Sequence, residues 1–332
     1  MGKTNILDAI YYLSNCKSSL SSTDANTVRY GEEYMLLQGE YERAGKTENI
    51  SCAIQKGKKK SVKRNGKEYK RMSGHIGLLP LVLVSPQDWN MIVGGGEERR
   101  RLVDRIISQG DSRYLDALIR YNKALEQRNV MLKQGCADPL LFETVDAYLS
   151  EAAQEIYACR KEWIVKFTPI FMRYYNFIGN NNETVSLDYR SELNEKPMLH
   201  LLHDNFQKDR LLGFTSQGVH RDDIELMLGS ELMRKIGSQG QCKTYTIALR
   251  FAQFDFLKEL CGITPLLLLD DIFDKLDSLR VANIMRIVSD KAFGQIFISD
   301  TNRQHLDETI RAVGSGYRIF SVESGVCRSL HQ

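Results

Sequence analysis

Three runs of consecutive apolar residues constrain the fold of this chain more than any other feature. They fall within residues 81–84, 265–269 and 294–298, and segments of helical periodicity separate them. Strands that are buried on both faces have unbroken apolar sequences, whereas strands with one wet face alternate. We therefore predict an α/β fold, in which a parallel sheet is covered on both faces by helices.

The second of these runs ends in two acidic residues, Asp270 and Asp271. Ligands of α/β proteins bind at the carboxyl ends of parallel strands, so both carboxylates are expected in a binding site. We predict that Asp270 holds Mg²⁺ and that Asp271 polarises an attacking water as a general base. The alternative is an ordinary strand that is followed by a helix-capping Asp.

The chain opens with the closing half of a phosphate-binding loop. Gly2, Lys3, Thr4 and Asn5 match the end of the pattern G-x-x-x-x-G-K-[ST], and a helical pattern follows. Backbone N–H groups at the start of such a helix bind phosphate. We expect Lys3 to neutralise the β- and γ-phosphates and Thr4 to ligate Mg²⁺, although four residues alone also match by chance.

A third motif, which we call the signature segment, is Gly-Ser-Gln-Gly-Gln at residues 237–241. It stands directly before a long predicted helix, and its small residues allow a phosphate to approach the backbone. We take Ser238, Gln239, Gly240 and Gln241 as nucleotide-binding candidates, with Ser238 as a helix cap that can also donate to a γ-phosphate. The alternative is an ordinary Ser cap beside a flexible loop.

The order of the three motifs resembles that of ATP-binding-cassette ATPases. The phosphate loop comes first, and the acids follow the signature segment by roughly 25 residues. Two further residues fit this layout. Gln87 follows the strand at 81–84, where such folds keep a glutamine near Mg²⁺, and Asp300 follows the last apolar strand, where they keep a residue that senses the γ-phosphate. The resemblance implies ATP and Mg²⁺ as cofactors.

A more specific resemblance is to the RecF family of bacterial recombination mediators. It rests on GKTNILDAIYYLS, SPQDWNMIVGGGEERRRLVDRII, GVHRDDIEL, GSQGQCKTYTIAL and LLLLDDIFDKLD, which are spread over nearly the whole chain. Transporter cassettes lack GVHRDD, and residues 113–182 are too few for the long coiled coil of chromosome-organising relatives. The family implies an ATP-dependent dimer that binds DNA at gaps and junctions and, with other recombination mediator proteins, helps to load recombinase.

The sequence departs from this family pattern at three places. The family begins its phosphate loop with a complete glycine-rich run after two strands, so we expect that roughly thirty upstream residues are missing here. Cys242 and Lys243 stand where relatives often have Arg. Asp271 replaces the Glu of fast ATPases, and because the shorter side chain holds the base farther from the water, we expect slow hydrolysis.

We predict an ABC-type P-loop ATPase lobe with an inserted, mainly helical second lobe. Residues 1–100 form the first part of the ATPase lobe, residues 101–236 the second lobe with a small sheet, and residues 237–332 the rest of the ATPase lobe. Within the second lobe, helical periodicity from residue 97 to about 177 breaks at Asp138 and Pro139 and predicts antiparallel helices. A helix is predicted at residues 198–209 and a hairpin at residues 222–236.

In this fold class, the phosphate loop and the signature segment of one chain cannot enclose the same nucleotide. We therefore expect a second, identical chain to complete each site, which predicts a twofold-symmetric homodimer held together by two ATP molecules. ATP then shifts a monomer–dimer equilibrium, and hydrolysis releases the dimer.

A basic hairpin is predicted at residues 56–71, around the turn dipeptide Asn65-Gly66. It has nine Lys and Arg residues and a single acid, Glu68. Alternate residues of a hairpin share a face, so several of these side chains can follow DNA phosphates. The candidates are Lys58, Lys59, Lys60, Lys63 and Arg64. The alternative is a solvated edge hairpin whose lysines prevent aggregation.

The sequence contains two other clusters of charged residues. Residues 99–101, with Arg105, could serve DNA or pair with acids. For residues 220–223, His-Arg-Asp-Asp, we favour a buried ion-pair network over a catalytic role.

Composition excludes some functions and leaves others open. The net charge is only +3, so nucleic acid must bind to a local patch, and no apolar run is long enough for a membrane helix. The seven cysteines have no C-x-x-C spacing and indicate reduced thiols in the cytoplasm. Two functions remain as alternatives: an ATPase subunit of a nuclease or transporter complex, and a truncated DNA-binding remnant that cannot bind ATP.

Overall fold

The computed structural model describes residues 2–21, 23–179, 183–274, 276–289, 291–300, 316–323 and 325–330. In chain order the helices are α1 (Lys3–Asn15), α2 (Trp89–Val93), α3 (Gly96–Gly110), α4 (Ser112–Lys133), α5 (Pro139–Gly179), α6 (Met198–Asp204), α7 (Phe206–Leu212), α8 (Met233–Ile236), α9 (Gln239–Cys261) and α10 (Ser278–Val288). The strands are β1 (Tyr34–Arg43), β2 (Lys46–Gln55), β3 (Ser61–Arg64), β4 (Lys67–Glu68), β5 (Leu81–Val84), β6 (Val185–Arg190), β7 (Asp223–Leu228), β8 (Glu231–Leu232), β9 (Leu266–Asp270), β10 (Ile296–Ser299), β11 (Phe320–Glu323) and β12 (Val326–Ser329).

The chain divides into two compact units. The first comprises Met1–Gln87 and Phe254–Gln332, and the second comprises Asp88–Gln253. The sequence placed the corresponding boundaries at 100/101 and 236/237. Helix α9 begins in the second unit and ends in the first, so the signature segment belongs to the second unit.

The three apolar runs form the predicted parallel sheet of the first unit. Its strand order is β10-β9-β5, and both neighbours of β9 run parallel to it. The register pairs Val84 with Leu269 and Ser299 with Asp270. The carboxyl ends of all three strands therefore meet at one edge, which brings together the polar residues that follow them.

Helix α1 has two apolar faces that pack on different sheets. Leu7 and Tyr11 pack on the parallel sheet with Leu268, whereas Tyr12 and Leu13 join the core of the antiparallel sheet β1-β2-β3-β4. This double burial fixes the start of α1 relative to the strand ends of the parallel sheet.

The second unit is built on a pair of antiparallel helices, as predicted. Their ion pairs show the direction, because Arg120 of α4 contacts Glu155 of α5 and Arg128 of α4 contacts Asp146. From the first contact to the second, the residue number rises along α4 and falls along α5, so the two helices run in opposite directions. A three-stranded antiparallel sheet, β6-β7-β8, completes this unit.

Two predicted elements of the second unit were wrong in detail. The second strand predicted for the 222–236 hairpin is only two residues long, and the chain then turns into helix α8. The reason is tertiary: Met233 is fully buried at the first turn of this short helix, so burial overrides the strand pattern. The single helix predicted at 198–209 is two helices, which meet at Asn205.

All seven cysteines lie within the described residues and have free thiols. Among the helices of the described ranges, none combines the length and the apolarity needed to cross a lipid bilayer.

Candidate functional site

The predicted end of the phosphate loop lies at the N-terminus of α1. Gly2 precedes the helix with a φ of 124°, and no side chain caps this end. A Cβ added to Gly2 would lie 3.3 Å from Val322, so the position suits glycine in both backbone angle and space. The ammonium of Lys3 donates to the carbonyl oxygen of Asp300 at 2.6 Å. The free N–H groups and Lys3 make this helix start electropositive.

The predicted Mg²⁺ ligands are neighbours in the structure. The Thr4 hydroxyl lies 3.3 Å from Oδ1 of Asp270, and the Ser299 hydroxyl donates to the same oxygen. Asp270 and Ser299 are buried. Thr4, from the start of the chain, and Ser299, from β10, thus meet at the carboxylate of Asp270, the last residue of β9. Ser299 was not singled out from the sequence, so this contact was not predicted.

These donors fit the ion that the sequence implies. Mg²⁺ binds hard oxygen ligands and usually takes one or two from the protein, with the rest supplied by phosphates and water. A Thr hydroxyl beside an Asp carboxylate provides such a pair. Thr4 and Asp270 therefore remain the residues that we predict would hold the ion.

Asp271 has the strained backbone and the unpaired oxygen of a candidate general base. Its φ is 46°, in the left-handed region that non-glycine residues rarely adopt. Its N–H donates to the carbonyl oxygen of Ser299 at 3.0 Å. Within the described part of the chain, its buried Oδ1 has no hydrogen-bond partner. A buried carboxylate oxygen without a partner is costly and is available for a water that a substrate would bring.

Gln87 and Asp300, which the cassette layout added, follow β5 and β10, the two strands that flank β9. Gln87 is exposed in a single 3-10 turn (Pro86–Asp88) that follows β5. Asp300 is buried directly after β10 and provides the carbonyl oxygen that Lys3 contacts. Lys3, Thr4, Asp270, Ser299 and Asp300 are thus joined by direct contacts. Gln87 follows the third strand of the same edge.

The signature segment forms a capping box at the start of α9. The Ser238 hydroxyl accepts a hydrogen bond from the Gln241 N–H at 3.2 Å, and the Gln241 side-chain oxygen accepts one from the Ser238 N–H at 2.7 Å. This reciprocal pair satisfies two otherwise unpaired donors. The sequence predicted the Ser238 cap but missed the return bond from Gln241, although S-x-x-Q before a helix is a recognisable signal.

Gln241 is also tied to a residue that the sequence did not single out. Its side-chain nitrogen donates to Oε1 of Glu183 at 2.5 Å, and the Tyr175 hydroxyl donates to the other oxygen of Glu183. Glu183 is 58 positions away along the chain, so no local pattern could have indicated this contact.

Some cations of the basic hairpin are exposed, and others are engaged in contacts within the chain. Lys58, Lys59 and Lys63 are exposed. Lys60 points inward, where it pairs with Asp24 at 2.9 Å and donates to the carbonyl oxygen of Cys16.

Arg64 of the same hairpin is also engaged, because its guanidinium binds both oxygens of Glu48. The hydrogen bonds from Arg64 hold the pKa of Glu48 at about 2, far below its ordinary value. Glu48 is buried, so this pair braces β2 against β3.

The ion-pair network that we favoured for residues 220–223 is present, and Arg99 and Arg100 of the other charged cluster take part in it. Arg99 binds both oxygens of Asp223 at 2.7 and 2.8 Å, Arg100 donates to the backbone of Asp222, and Arg160 of α5 pairs with the Asp222 carboxylate at 2.8 Å. Arg99 and Arg160 therefore neutralise acids of their own unit.

His220 is held neutral inside the same network. Its Nε2 contacts the carbonyl oxygen of Thr215 at 3.1 Å, and its Nδ1 contacts the Tyr121 hydroxyl at 2.6 Å. A carbonyl oxygen can only accept, so Nε2 carries a hydrogen, and in the neutral ring Nδ1 then accepts from the Tyr121 hydroxyl. Burial lowers the pKa of His220 to about 4, which fits this single neutral tautomer.

Known proteins resemble this chain over almost its whole length. No protein-family model matches it. It is 49% identical over 332 residues to the DNA replication and repair protein RecF of Parabacteroides distasonis, which covers 100% of this chain and 91% of the relative. It is 50% identical over 327 residues to RecF of Porphyromonas gingivalis, which covers 98% of this chain and 90% of the relative.

Solved structures agree with these relatives. A structure of the recombination mediator protein RecF-ATP in the RecFOR pathway superposes with a TM-score of 0.88 at 28% identity, over 99% of this chain and 89% of that one. An Smc head domain from Pyrococcus furiosus gives a TM-score of 0.52 at 17% identity, over 99% of this chain and 87% of that one. The second likeness concerns the fold alone, which is that of an ABC-type ATPase.

Proposed function

Because the chain belongs to the RecF family of DNA replication and repair proteins, we propose that it is an ATP-driven switch. It binds ATP with Mg²⁺, dimerises around the nucleotide, holds DNA at gaps and junctions, and is reset by slow hydrolysis. Its setting is the cytoplasm, and other recombination mediator proteins are its partners in loading recombinase. The relatives favour this function over that of a nuclease or transporter subunit.

One observation supports the nucleotide part of the proposal most directly. The Thr4 hydroxyl, the Asp270 carboxylate and the Ser299 hydroxyl meet at the carboxyl end of a parallel sheet, beside the uncapped start of α1. This arrangement places oxygen ligands for a cation next to N–H donors and a lysine for phosphate. Few other chemistries need a cation site and an anion site at such close range.

Each residue has a distinct role in the proposed reaction. Bound Mg²⁺ would neutralise charge on the terminal phosphates of ATP. Lys3 and the first N–H groups of α1 hold the phosphates, while Thr4 and Asp270 orient the ion. Asp271 orients the attacking water and accepts its proton. Gln87 and Asp300 are proposed to sense the bound nucleotide from the neighbouring strand ends.

The proposed dimer builds each nucleotide site from segments of two chains. The phosphate-loop end lies in the first compact unit and the signature segment in the second. We propose that each ATP is bound by the loop of one chain and by Ser238, Gln239 and Gly240 of the other. Two identical composite sites then give a closed, twofold-symmetric dimer.

DNA contact is assigned to the exposed lysines of the basic hairpin, Lys58, Lys59 and Lys63. We leave Lys60 and Arg64 out of this surface because their charges already bind Asp24 and Glu48. Ammonium groups in water attract phosphates without reading bases, so the proposed binding depends on DNA shape and salt rather than on sequence.

The decisive experiment measures ATP binding and ATP-dependent dimerisation together. Light scattering and nucleotide titration are carried out on the unaltered chain and on Lys3→Met. We expect the unaltered chain to dimerise with ATP and Mg²⁺, and we expect Lys3→Met to lose most nucleotide affinity and to stay monomeric. Lys17→Met serves as the matched control, since it removes a lysine just beyond the end of the same helix.

Two results would contradict the proposal. Unaltered dimerisation by Lys3→Met would show that this helix start does not hold the phosphates. A chain that binds ATP but stays monomeric at micromolar concentration would rule out the shared site.

A further inference from the structure

The signature segment is held in place by an acid from another part of the second unit. The Gln241 side chain makes two hydrogen bonds. Its oxygen accepts from the N–H of Ser238, and its nitrogen donates to the carboxylate of Glu183. Glu183 precedes β6, and its second oxygen accepts from the buried Tyr175 of α5. A continuous chain of bonds therefore runs from the core of the unit to the exposed segment.

Glu183 determines which way the Gln241 amide points. A carboxylate can only accept hydrogen bonds, so it selects the orientation in which the Gln241 nitrogen faces it. The Gln241 oxygen must then face the opposite way, toward the Ser238 N–H. In the flipped orientation, two acceptors would face each other at Glu183 and two donors would face each other at Ser238.

This orientation decides which groups of the segment remain available. The capping box uses the N–H groups of Ser238 and Gln241. It leaves the first two N–H groups of α9, those of Gln239 and Gly240, without an intrahelical acceptor. The Ser238 hydroxyl accepts one bond and still has its hydrogen to donate. Three donors at an exposed helix start thus stay directed outward, where a phosphate can bind.

We propose that Glu183 is a positioning residue that orders the signature segment for the nucleotide held by the partner chain. This inference rests on the proposed ATP-dependent dimer. It also reassigns Gln241, which the sequence placed among the nucleotide contacts. Both polar ends of its side chain are engaged within its own chain, so it supports the segment from behind.

The same helix start has a second attachment that is independent of Glu183. The Tyr245 hydroxyl of α9 donates to the carbonyl oxygen of Ser186 in β6 at 2.7 Å, and the rings of Tyr245 and Phe171 lie 4.6 Å apart. Helix α9 therefore stays docked when Glu183 is changed. We expect the loss to be confined to the order of the segment, with little effect on the fold.

A swap of the two side chains tests the inference. Gln241→Glu places two carboxylates face to face, and their repulsion removes the brace. Glu183→Gln puts two amides together, which lets the Gln241 amide turn over. The double variant restores one amide and one carboxylate in exchanged positions. Its new carboxylate can still accept from Ser238, and its new amide can accept from Tyr175.

Two measurements at pH 8 are compared across the four proteins. The first is amide hydrogen exchange in residues 237–241 of the nucleotide-free monomer, and the second is the dimer dissociation constant with ATP. We expect Gln241→Glu to raise both by about tenfold or more, Glu183→Gln to have a smaller effect, and the double variant to return near the unaltered values. ATP affinity of the monomer should not change. Glu195→Gln and Gln207→Glu, at exposed positions of the same unit, are the matched controls.

The outcomes separate this inference from the proposed function. If Gln241→Glu changes neither exchange nor dimerisation, or if the double variant is no better than Gln241→Glu, the positioning role of Glu183 is overturned. If the unaltered chain does not dimerise with ATP, the proposed function fails and the dimer part of the inference fails with it. Hydrogen exchange needs no nucleotide, so it still decides whether Glu183 orders the segment.

Discussion

At the scale of single residues, Asp271 combines a strained backbone with a buried carboxylate oxygen that has no hydrogen-bond partner in the described ranges. Only four non-glycine residues in the described ranges have positive φ, and Asp271 is the one that follows the ligand-binding end of a buried strand. Asp and Asn tolerate this backbone conformation better than longer side chains. The backbone therefore offers a reason for Asp at this position rather than the longer Glu that we expect in fast ATPases. The cost of the strain is about 1–3 kcal/mol.

Replacing Asp271 with Asn should separate chemistry from binding. Asn suits the same backbone angle, so stability and ATP-dependent dimerisation should persist, while loss of the base should slow hydrolysis by about 10²–10⁴-fold. Phosphate release from the preformed dimer gives the rate. Asp277→Asn is the control, because Asp277 caps α10 and Asn caps equally well. Hydrolysis at the normal rate by Asp271→Asn would mean that the base lies elsewhere.

His220 should make stability depend on pH. Its pKa in the folded chain is about 4, below the ordinary 6.5, so between these values the unfolded chain binds a proton that the folded chain does not. The contribution of neutral His220 to the free energy of unfolding is complete above pH 6.5 and is lost as the pH falls toward 4. At pH 5 this loss is about 2 kcal/mol.

Urea unfolding of the unaltered chain and of His220→Gln at pH 7 and pH 5 measures this effect. The variant keeps a donor and an acceptor at the position but cannot titrate. We expect its stability to fall less between the two pH values, by about 2 kcal/mol. Equal losses in both proteins would show that His220 is not the group responsible.

At the scale of elements, the basic hairpin has a structural role beside the DNA binding that we propose for it. Its buried Val62 joins the core of the antiparallel sheet, and Lys60 and Arg64 stabilise neighbouring strands through Asp24 and Glu48. Only the residues that point away from these contacts are left to attract DNA. Charge reversal across the whole segment would therefore disturb folding as well as binding.

Neutralising only the exposed lysines should weaken DNA binding without loss of stability. In the triple change of Lys58, Lys59 and Lys63 to Gln, each lost phosphate contact reduces the slope of log K against log salt by about 0.9, so up to about 3 in total. Fluorescence anisotropy with gapped duplex DNA from low to high salt measures the slope. The control neutralises Lys123, Lys133 and Lys208, which are exposed in the second unit. An unchanged slope would exclude the hairpin as the DNA surface.

At the scale of the whole molecule, the proposed switch depends on sites that no single chain completes. The phosphate-loop end and the signature segment belong to different compact units, and the proposal pairs each with its counterpart in a second chain. Two defective chains should then be able to complement each other. This is a property that a nucleotide site within one chain cannot have.

Mixing Lys3→Met with Ser238→Arg tests that property. Each variant alone has two damaged composite sites and should neither dimerise with ATP nor hydrolyse it. In a mixed dimer, one site has both defects, while the other combines an intact loop with an intact signature segment. We expect hydrolysis to reappear on mixing, at up to about half the unaltered rate per dimer. No recovery, with ATP binding by the Ser238→Arg monomer intact, would argue against shared sites.

Much of the candidate site could be predicted because strand ends converge. Parallel strands in one sheet place their carboxyl ends at a common edge, so Asp270 and Asp271 could be assigned to a binding site from an apolar run, and Asp300 was added through the resemblance to cassette ATPases. Lys3 and Thr4 could be added to the same site because a phosphate loop stands directly before a helix. In each case the information is local. A short pattern identifies the strand or helix, and the direction of that strand or helix determines where the residues at its end lie.

The sequence by itself thus determined the fold class, the parallel sheet and the order of the nucleotide motifs, since each depends on the spacing of neighbouring residues. Only the tertiary structure decided which side chains meet. Lys58 and Lys60 look alike in the sequence, yet one is solvated and the other binds Asp24. Glu183 reaches Gln241 across 58 positions. Such pairings depend on how distant elements pack, and no local spacing contains that information.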